Sequence, residues 1–230
     1  MIKRALPHIK FVISGDFGQL PPVNDSWTGI YENSEALWFL CDGNTLKLTD
    51  YRRGDKELFL LCKDVENVNV NDFKPKQHTY LNLAYTHHTR IRVNNECMKR
   101  YLNETRKESV FISRDTRNEK TRHANLCVGM PVIAHTTDKK LNVLNSQKFI
   151  VKQIKDNKII LNDDNDEVIV DINKFHKYFY LGFCITIHAS QGETFTQPYT
   201  IYDWGFKHFC NKAKYVALSR ATSIKNIQIV

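Results

Sequence analysis

The sequence predicts an α/β fold that carries a small antiparallel β-barrel as an insert. Three observations lead there. Short continuous apolar runs stop at polar turns, amphipathic helical stretches lie between them, and from about residue 125 to 180 closely spaced β-rich runs take over. The chain's 230 residues exceed one average domain, which suits a main domain with an insert.

Residues 10–14 (KFVIS) form an apolar run that ends at Gly15-Asp16 and is followed by the stiff Leu20-Pro21-Pro22, the pattern of a buried strand ending in a constrained loop. Glu35 to Leu40 reads as a short helix and Thr45 to Leu48 as a further strand. Leu58, Leu61, Cys62 and Val65 recur at helical spacing, so Asp55 to Val65 is expected to be an amphipathic helix beginning just after Gly54. Leu81 to Tyr85 reads as a strand. Thr89 to Leu102 reads as a second amphipathic helix exposing Arg90, Arg92, Lys99 and Arg100. The insert, at about 125–180, consists of PVIAH, KFIVKQI, KIIL and EVIVD, separated by turns such as Asp156-Asn157 and Asn162 to Asp166. Beyond it, YLGFCITI reads as one continuous apolar strand and YTIYD as another. Lys207 to Ser219 reads as a helix, and IQIV closes the sheet. No internal repeat or low-complexity linker is present.

Hydrophobic residues make up 42% and charged residues 25% of the chain, which excludes a disordered or fibrous class. Thirty-three Lys and Arg against 25 Asp and Glu give a net charge of +8, a balance that favours a polyanionic partner, nucleic acid first. Basic proteins that bind no nucleic acid have the same balance, so charge alone does not decide. Cys41, Cys62, Cys97, Cys127, Cys184 and Cys210 form no CxxC pair, which argues for reduced, mostly buried thiols rather than a zinc ribbon or disulfide framework. No apolar run approaches the ~20 residues of a membrane helix, and the Met1 segment lacks a secretory core. No membrane association is expected, and the location expected is intracellular: nuclear, cytoplasmic or a viral replication factory. The triplets Asn24-Asp25-Ser26 and Asn103-Glu104-Thr105 are then chance matches to a glycosylation signal.

Three clusters carry candidate chemistry. Gly15-Asp16-Phe17-Gly18-Gln19-Leu20-Pro21-Pro22-Val23 puts a carboxylate and an amide on a rigid turn at a strand end. His188-Ala189-Ser190-Gln191-Gly192-Glu193-Thr194 groups hydroxyl, amide and carboxylate around a glycine that permits close backbone approach. Tyr215-Val216-Ala217-Leu218-Ser219-Arg220-Ala221 is a helix ending in an arginine. Singly these are also an ordinary turn, a loop and a cation at a helix C-terminus.

Together and in this order they resemble the third, fifth and sixth motifs of superfamily 1 DNA helicases of the Pif/RecD-like group (GDxxQLPPV, HxSQGxT, YVALSRA). Leu48-Thr49-Asp50-Tyr51-Arg52 is similar to the fourth motif, with Asp50 where Asn is usual. Val128-Gly129-Met130-Pro131-Val132 resembles the entry to that family's Src-homology-3-like barrel. The resemblance implies a RecA-like, P-loop-NTPase-type parallel sheet divided in three ways. Residues 1–47 would be the end of a first RecA-like domain, 48–124 with 181–230 the second, and 125–180 the inserted barrel.

Residue by residue, the resemblance implies that Gln19 senses the γ-phosphate, and that Arg52, or its neighbour Arg53, reaches the phosphate together with Arg220. Forked, permanently charged guanidinium groups suit that work. Glu193 would hold the ribose and Gly192 admit the nucleotide to the backbone. His188, Ser190 and Thr194 would lie near a bound strand. Ala189 stands where relatives carry Lys, removing one cation from that surface. No metal ligand is expected within the chain. Tyr202, Trp204, Phe206 and Phe209 are open to two roles, core packing or base stacking, and Lys139 and Lys140 to phosphate contact or a solvated turn.

The phosphate-binding GxxxxGK[ST] and the acidic pair that places magnesium do not occur among these residues. The chain is thus expected to be truncated or split from a complete motor: a cloned fragment, a separately encoded half or a broken reading frame. ATP and Mg2+ would be used by the complete helicase, with neither bound tightly by this chain alone. The partners implied are single-stranded DNA or duplex junctions and the P-loop-bearing half, in cis or in trans. The activity implied is translocation on single-stranded DNA, 5′ to 3′, with unwinding. The alternative is a non-catalytic nucleic-acid-binding accessory module derived from a helicase.

Overall fold

The structure, a computed structural model, describes residues 8–21, 31–49, 52–116, 121–163 and 166–230. Pro22 and Val23 of the third motif, Asp50 and Tyr51 of the fourth, and the Asn24-Asp25-Ser26 triplet lie outside the described residues. In chain order the regular elements begin with α1 (Glu35–Leu40), α2 (Lys56–Lys63), β1 (Asn82–Ala84), α3 (His87–Thr105), β2 (Val110–Ile112), β3 (Ala124–Leu126) and β4 (Pro131–Ala134). They continue with β5 (Lys148–Lys155), β6 (Lys158–Asn162), β7 (Glu167–Asp171), α4 (Phe175–Tyr178), β8 (Phe179–Leu181), β9 (Cys184–Thr186), β10 (Tyr199–Ile201), α5 (Asn211–Leu218) and β11 (Ile227–Ile229).

Four strands form a parallel sheet in the order β11-β10-β1-β9. All residues of β1, β10 and β11 are buried, as expected of a parallel sheet covered on both faces. Helix α2 starts where the Asp55 carboxylate accepts the Leu58 N–H at 2.8 Å, and its Leu58 and Cys62, one turn apart, enter the same core as Val216 and Leu218 of α5. Helix α3 is capped by the Thr86 hydroxyl, which accepts the Thr89 N–H at 3.1 Å. Its buried face runs through Thr89, Arg90, Val93, Asn94, Cys97 and Met98. Asn94 pins this helix to β9: its amide donates to the carbonyls of Arg90 and Cys184 at 3.0 and 2.8 Å and accepts the Cys184 N–H at 3.1 Å.

The insert, expected as a barrel, is a five-stranded antiparallel sheet in the order β7-β6-β5-β4-β8, whose apolar face shares a core with α3, β1 and β9. A register shift between Val151 and Gln153 bends the long β5. Among the described residues the edge strands β7 and β8 are not laddered to each other. The chain between them turns through Ile172–Lys174 into α4, whose fully buried Phe175 joins the insert's core.

Four expectations about secondary structure are corrected. KFVIS is not a buried strand: residues 9–16 have no regular structure, and Val12 is 97% exposed. Thr45 to Leu48 is likewise irregular and exposed. An apolar run becomes a strand only beside a neighbour that takes its N–H and C=O groups, and none lies there among the described residues. YLGFCITI is two strands. β8 pairs with β4 in the antiparallel sheet and β9 with β1 in the parallel one. Between them Gly182 donates to the Pro131 carbonyl at 2.8 Å, where a Cβ would lie 3.1 Å from the Ile133 side chain and 3.2 Å from the Pro131 carbonyl carbon. The run stays apolar because it passes from one buried core to the other. Residues 207–210 precede the last helix, which begins at Asn211.

Arg90 is not on a solvated face. It is 2% exposed, with its guanidinium 4.3 Å over the Tyr180 ring, and burial lowers its pKa against the opposing pull of Tyr180. Arg92 is exposed as expected and pairs with Glu96 at 2.9 Å. The cysteines are all free, with Cys62, Cys97, Cys127 and Cys184 buried. Burial pushes Cys62 up to about 12 and Cys97 to about 11, which makes them inert thiols. No helix among the described residues is long and apolar enough to cross a membrane.

Candidate functional site

Where β9 ends, the chain turns through His188–Ser190 and reaches Gly192 at φ +87°, a left-handed conformation that disfavours any residue with a Cβ. The loop is then stitched to the end of the last helix. The Phe195 N–H donates to the Arg220 carbonyl at 2.7 Å, and the Thr222 N–H donates to the Phe195 carbonyl at 3.1 Å. These bonds bring the second and third clusters together.

Arg220 is the joint between them. It is 1% exposed. Its Nε donates to the Val216 carbonyl at 2.9 Å, Nη1 to the carbonyls of Ser190 and Glu193 at 3.3 and 3.2 Å, and Nη2 to the Ser219 hydroxyl at 2.9 Å. Burial lowers its pKa, and the charge of Arg53 lowers it further, against Tyr199, Tyr215 and Asp16. A guanidinium so lowered is still charged at neutral pH.

The first cluster arrives from the other end of the chain. Asp16 organises its own turn, accepting the Gly18 N–H at 2.9 Å and the Gln19 side-chain amide at 3.1 Å. The same carboxylate accepts the Tyr215 hydroxyl at 2.9 Å. Gln191 donates to the Leu20 carbonyl at 3.5 Å. Gln19, half-buried, therefore sits on a loop that touches both of the other clusters.

Of the two candidate arginines near residue 52, Arg53 is the one placed beside Arg220, donating to the Ser219 carbonyl at 3.4 Å. Gly54 makes this approach possible, since a Cβ there would stand 2.9 Å from the Thr222 carbonyl oxygen. Asp55 holds the segment down, accepting the Ile224 N–H at 3.0 Å as well as capping α2. Burial alone would raise the Asp55 pKa. The donors of Leu58, Ile224 and Ser223 and the charge of Lys225 outweigh it and lower the value.

The residues expected near a bound strand divide. His188 and Thr194 are exposed, and partial burial of the His188 ring pushes its pKa below the usual value, so that it is neutral at pH 7. Ser190, expected near a bound strand, is instead fully buried, with its hydroxyl donating to the Ile187 carbonyl at 2.8 Å. A short turn after a buried strand folds that side chain back into the core. Glu193 is half-buried and pairs at 2.6 Å with Lys148 of the insert. Lys139 and Lys140 are exposed in a turn held by Asp138. Among the described residues no group of His, Cys, Asp or Glu has the spacing to hold a metal ion.

Sequence reasoning missed Lys148, which no local signal marks. It also missed Asp203, at the end of β10, whose carboxylate accepts the backbone N–H groups of Tyr85 and Thr86 at 3.1 and 2.9 Å and the hydroxyls of Thr86 and Thr89 at 3.1 and 2.6 Å.

No protein-family model and no curated protein matches the chain. Solved structures do. A structure of two coordinating Pif1 helicases at forked double-stranded DNA is 22% identical with a TM-score of 0.66, over 94% of this chain and 59% of that one. Pif1 helicase from Bacteroides, in complex with ADP-AlF3 and single-stranded DNA, is 22% identical with a TM-score of 0.62, over 94% and 60%. Pif1 helicase from Candida albicans is 21% identical with a TM-score of 0.59, over 94% and 63%. The chain thus spans less than two thirds of each. It has a RecA-like α/β fold with an antiparallel insert, similar to the fold of the Pif1 helicases over nearly its whole length.

Proposed function

We propose that this chain is the C-terminal part of an ATP-dependent DNA helicase: a second RecA-like domain with its insert, joined to the phosphate-sensing loop of a first. The observation that carries this reading is the meeting of three distant segments. The Asp16–Gln19 turn, the His188–Thr194 loop and the Tyr215–Arg220 helix end lie against one another through the Asp16–Tyr215 and Arg220–Glu193 contacts. These are the segments whose sequences resemble the third, fifth and sixth helicase motifs.

Arg53 and Arg220 lie close enough to repel each other, an effect that Tyr199, Tyr215 and the Asp16 carboxylate oppose. Two neighbouring guanidinium groups favour a polyphosphate, because forked, permanently charged donors gain most from phosphate oxygens. Gln19 supplies a neutral donor on the same face and moves with the Asp16 turn. Glu193 meets the ribose by leaving Lys148, an exposed pair worth about 1 kcal/mol or less. ATP contributes the phosphoanhydride whose cleavage drives the motor. The phosphate loop and the magnesium carboxylate belong to another RecA-like half, and Ile9, Val12, Ile13 and Phe17 offer exposed apolar surface for it. Single-stranded DNA lies across His188 and Thr194, and translocation runs 5′ to 3′.

One observation favours the accessory-module reading: the Arg220 donors are turned inward onto backbone carbonyls. Mixing the chain with a P-loop-bearing half and single-stranded DNA separates the two. The helicase reading expects ATP turnover in the mixture alone, lost in Gln19→Ala and Arg53→Ala. DNA binding without any ATP response in the mixture selects the accessory module, and robust turnover by the chain alone overturns the division of labour.

A further inference from the structure

β1, β9 and β10 run parallel, so the segments that leave them emerge at one edge of the sheet, and each brings an aromatic ring to the same place. Tyr85 follows β1, His188 follows β9, and Trp204, Phe206 and Phe209 follow β10. The Tyr85 ring is central. It stacks on Phe209 at 5.0 Å and 19°, and stands 5.9 Å from Phe206 and 6.3 Å from His188, both at 44°. Phe209 is 4% exposed and meets the buried Trp204 edge-on at 5.6 Å, so these two are the floor. Phe206 is 42% exposed, His188 is exposed and Tyr85 is half-buried.

The arrangement is held rigidly. Asp203 clamps the backbone of Tyr85 and Thr86. The Phe206 N–H donates to the Asp203 carbonyl and the Phe209 N–H to the Phe206 carbonyl, both at 2.8 Å, giving two consecutive turns. Core packing accounts for Trp204 and Phe209 but not for an exposed phenylalanine fixed beside two further rings. Residues 204–214 contain Lys207, Lys212 and Lys214 and no Asp or Glu, a charge that suits phosphate rather than an acidic-rimmed or neutral partner.

We propose that Tyr85, His188 and Phe206 form a stacking platform for unpaired bases of single-stranded nucleic acid, with Lys207 beside the backbone. This rests on the nucleic-acid reading above and adds that bases, not phosphates alone, are held. Aromatic faces accept any base and remain effective when salt screens the phosphates.

The test compares an oligothymidylate with an abasic strand of equal length, binding the full chain at low and high salt. Wild type is expected to prefer the base-bearing strand about tenfold at high salt. Phe206→Ala removes that preference while abasic binding stays unchanged, and Phe206→Tyr restores it. Because both strands meet the same variant, a folding defect lowers both affinities and leaves the preference in place. Equal, salt-sensitive binding of both strands by wild type overturns the platform and leaves DNA binding intact. Binding of neither strand at low salt overturns the platform and the nucleic-acid reading together. Self-association of wild type that Phe206→Ala abolishes, with no base preference, overturns it in favour of a second copy of the chain.

Discussion

From residue 8 to residue 49 no described residue is buried, whereas the described residues from 52 onward fill two apolar cores, one joining α2 and α5 to the parallel sheet and one joining the insert to α3, β1 and β9. The early region is nevertheless as rich in apolar runs as the late one. Its placement at the site comes from polar contacts, Asp16 to Tyr215 and Leu20 to Gln191, with Leu20 packing against the edge of a core. The difference separates two jobs. The late region fixes Arg220, Gly192 and Glu193 through buried structure. The early region carries Gln19 on an exposed turn attached to that frame by a few polar contacts.

The largest effect that sharpens this contrast belongs to Asn94. Asn94→Ala removes the side-chain partner of both backbone groups of Cys184 inside the core. Urea unfolding is expected to show a loss of about 3 kcal/mol, since each stranded buried group is costly. Asp203→Ala comes next, at about 2 kcal/mol, because it releases the half-buried N–H donors of Tyr85 and Thr86 and the buried Thr89 hydroxyl.

Asp55→Ala removes a helix cap and costs about 1 kcal/mol at neutral pH. Its pKa is lowered in the folded chain, so its contribution is fully present above the unfolded value of about 3.9 and disappears as pH falls through the folded value. The gap between variant and wild type in unfolding midpoint therefore narrows between pH 5 and pH 2, and a gap that widens there reverses the sign of the account.

The smallest stability change is expected at Asp16. Asp16→Ala alters the unfolding free energy by less than about 0.5 kcal/mol, because its bonds are exposed. It accelerates hydrogen exchange at the Gly18 amide, which it caps. A loss as large as that of Asn94→Ala would erase the distinction between the two regions.

How much of this was legible depends on whether the signal was local. The helix that begins at Asp55 and the insert's alternating strands follow from spacing within short windows, whereas the meeting of the three motif-bearing segments was implied only by their joint resemblance to helicase motifs. Apolar content without a partner was misleading. KFVIS has the composition of a strand and no neighbour to pair with, and YLGFCITI has the length of one strand while serving two sheets. Arg90 defeated the helical-face argument because the Tyr180 ring that receives it lies in another element. Ser190 was assigned to the strand by motif position, and one hydrogen bond to Ile187 turns it inward. The Lys148–Glu193 pair joins residues that no window connects.

The most direct test of the account is the binding of a labelled single-stranded oligonucleotide to this chain across a salt series, with and without ATP and magnesium. The account predicts binding that weakens steeply as salt rises and does not change with ATP, since these residues contain no GxxxxGK[ST] phosphate loop. Absence of binding at low salt would contradict a strand-binding helicase part, and binding altered by ATP would show a complete nucleotide site within this chain.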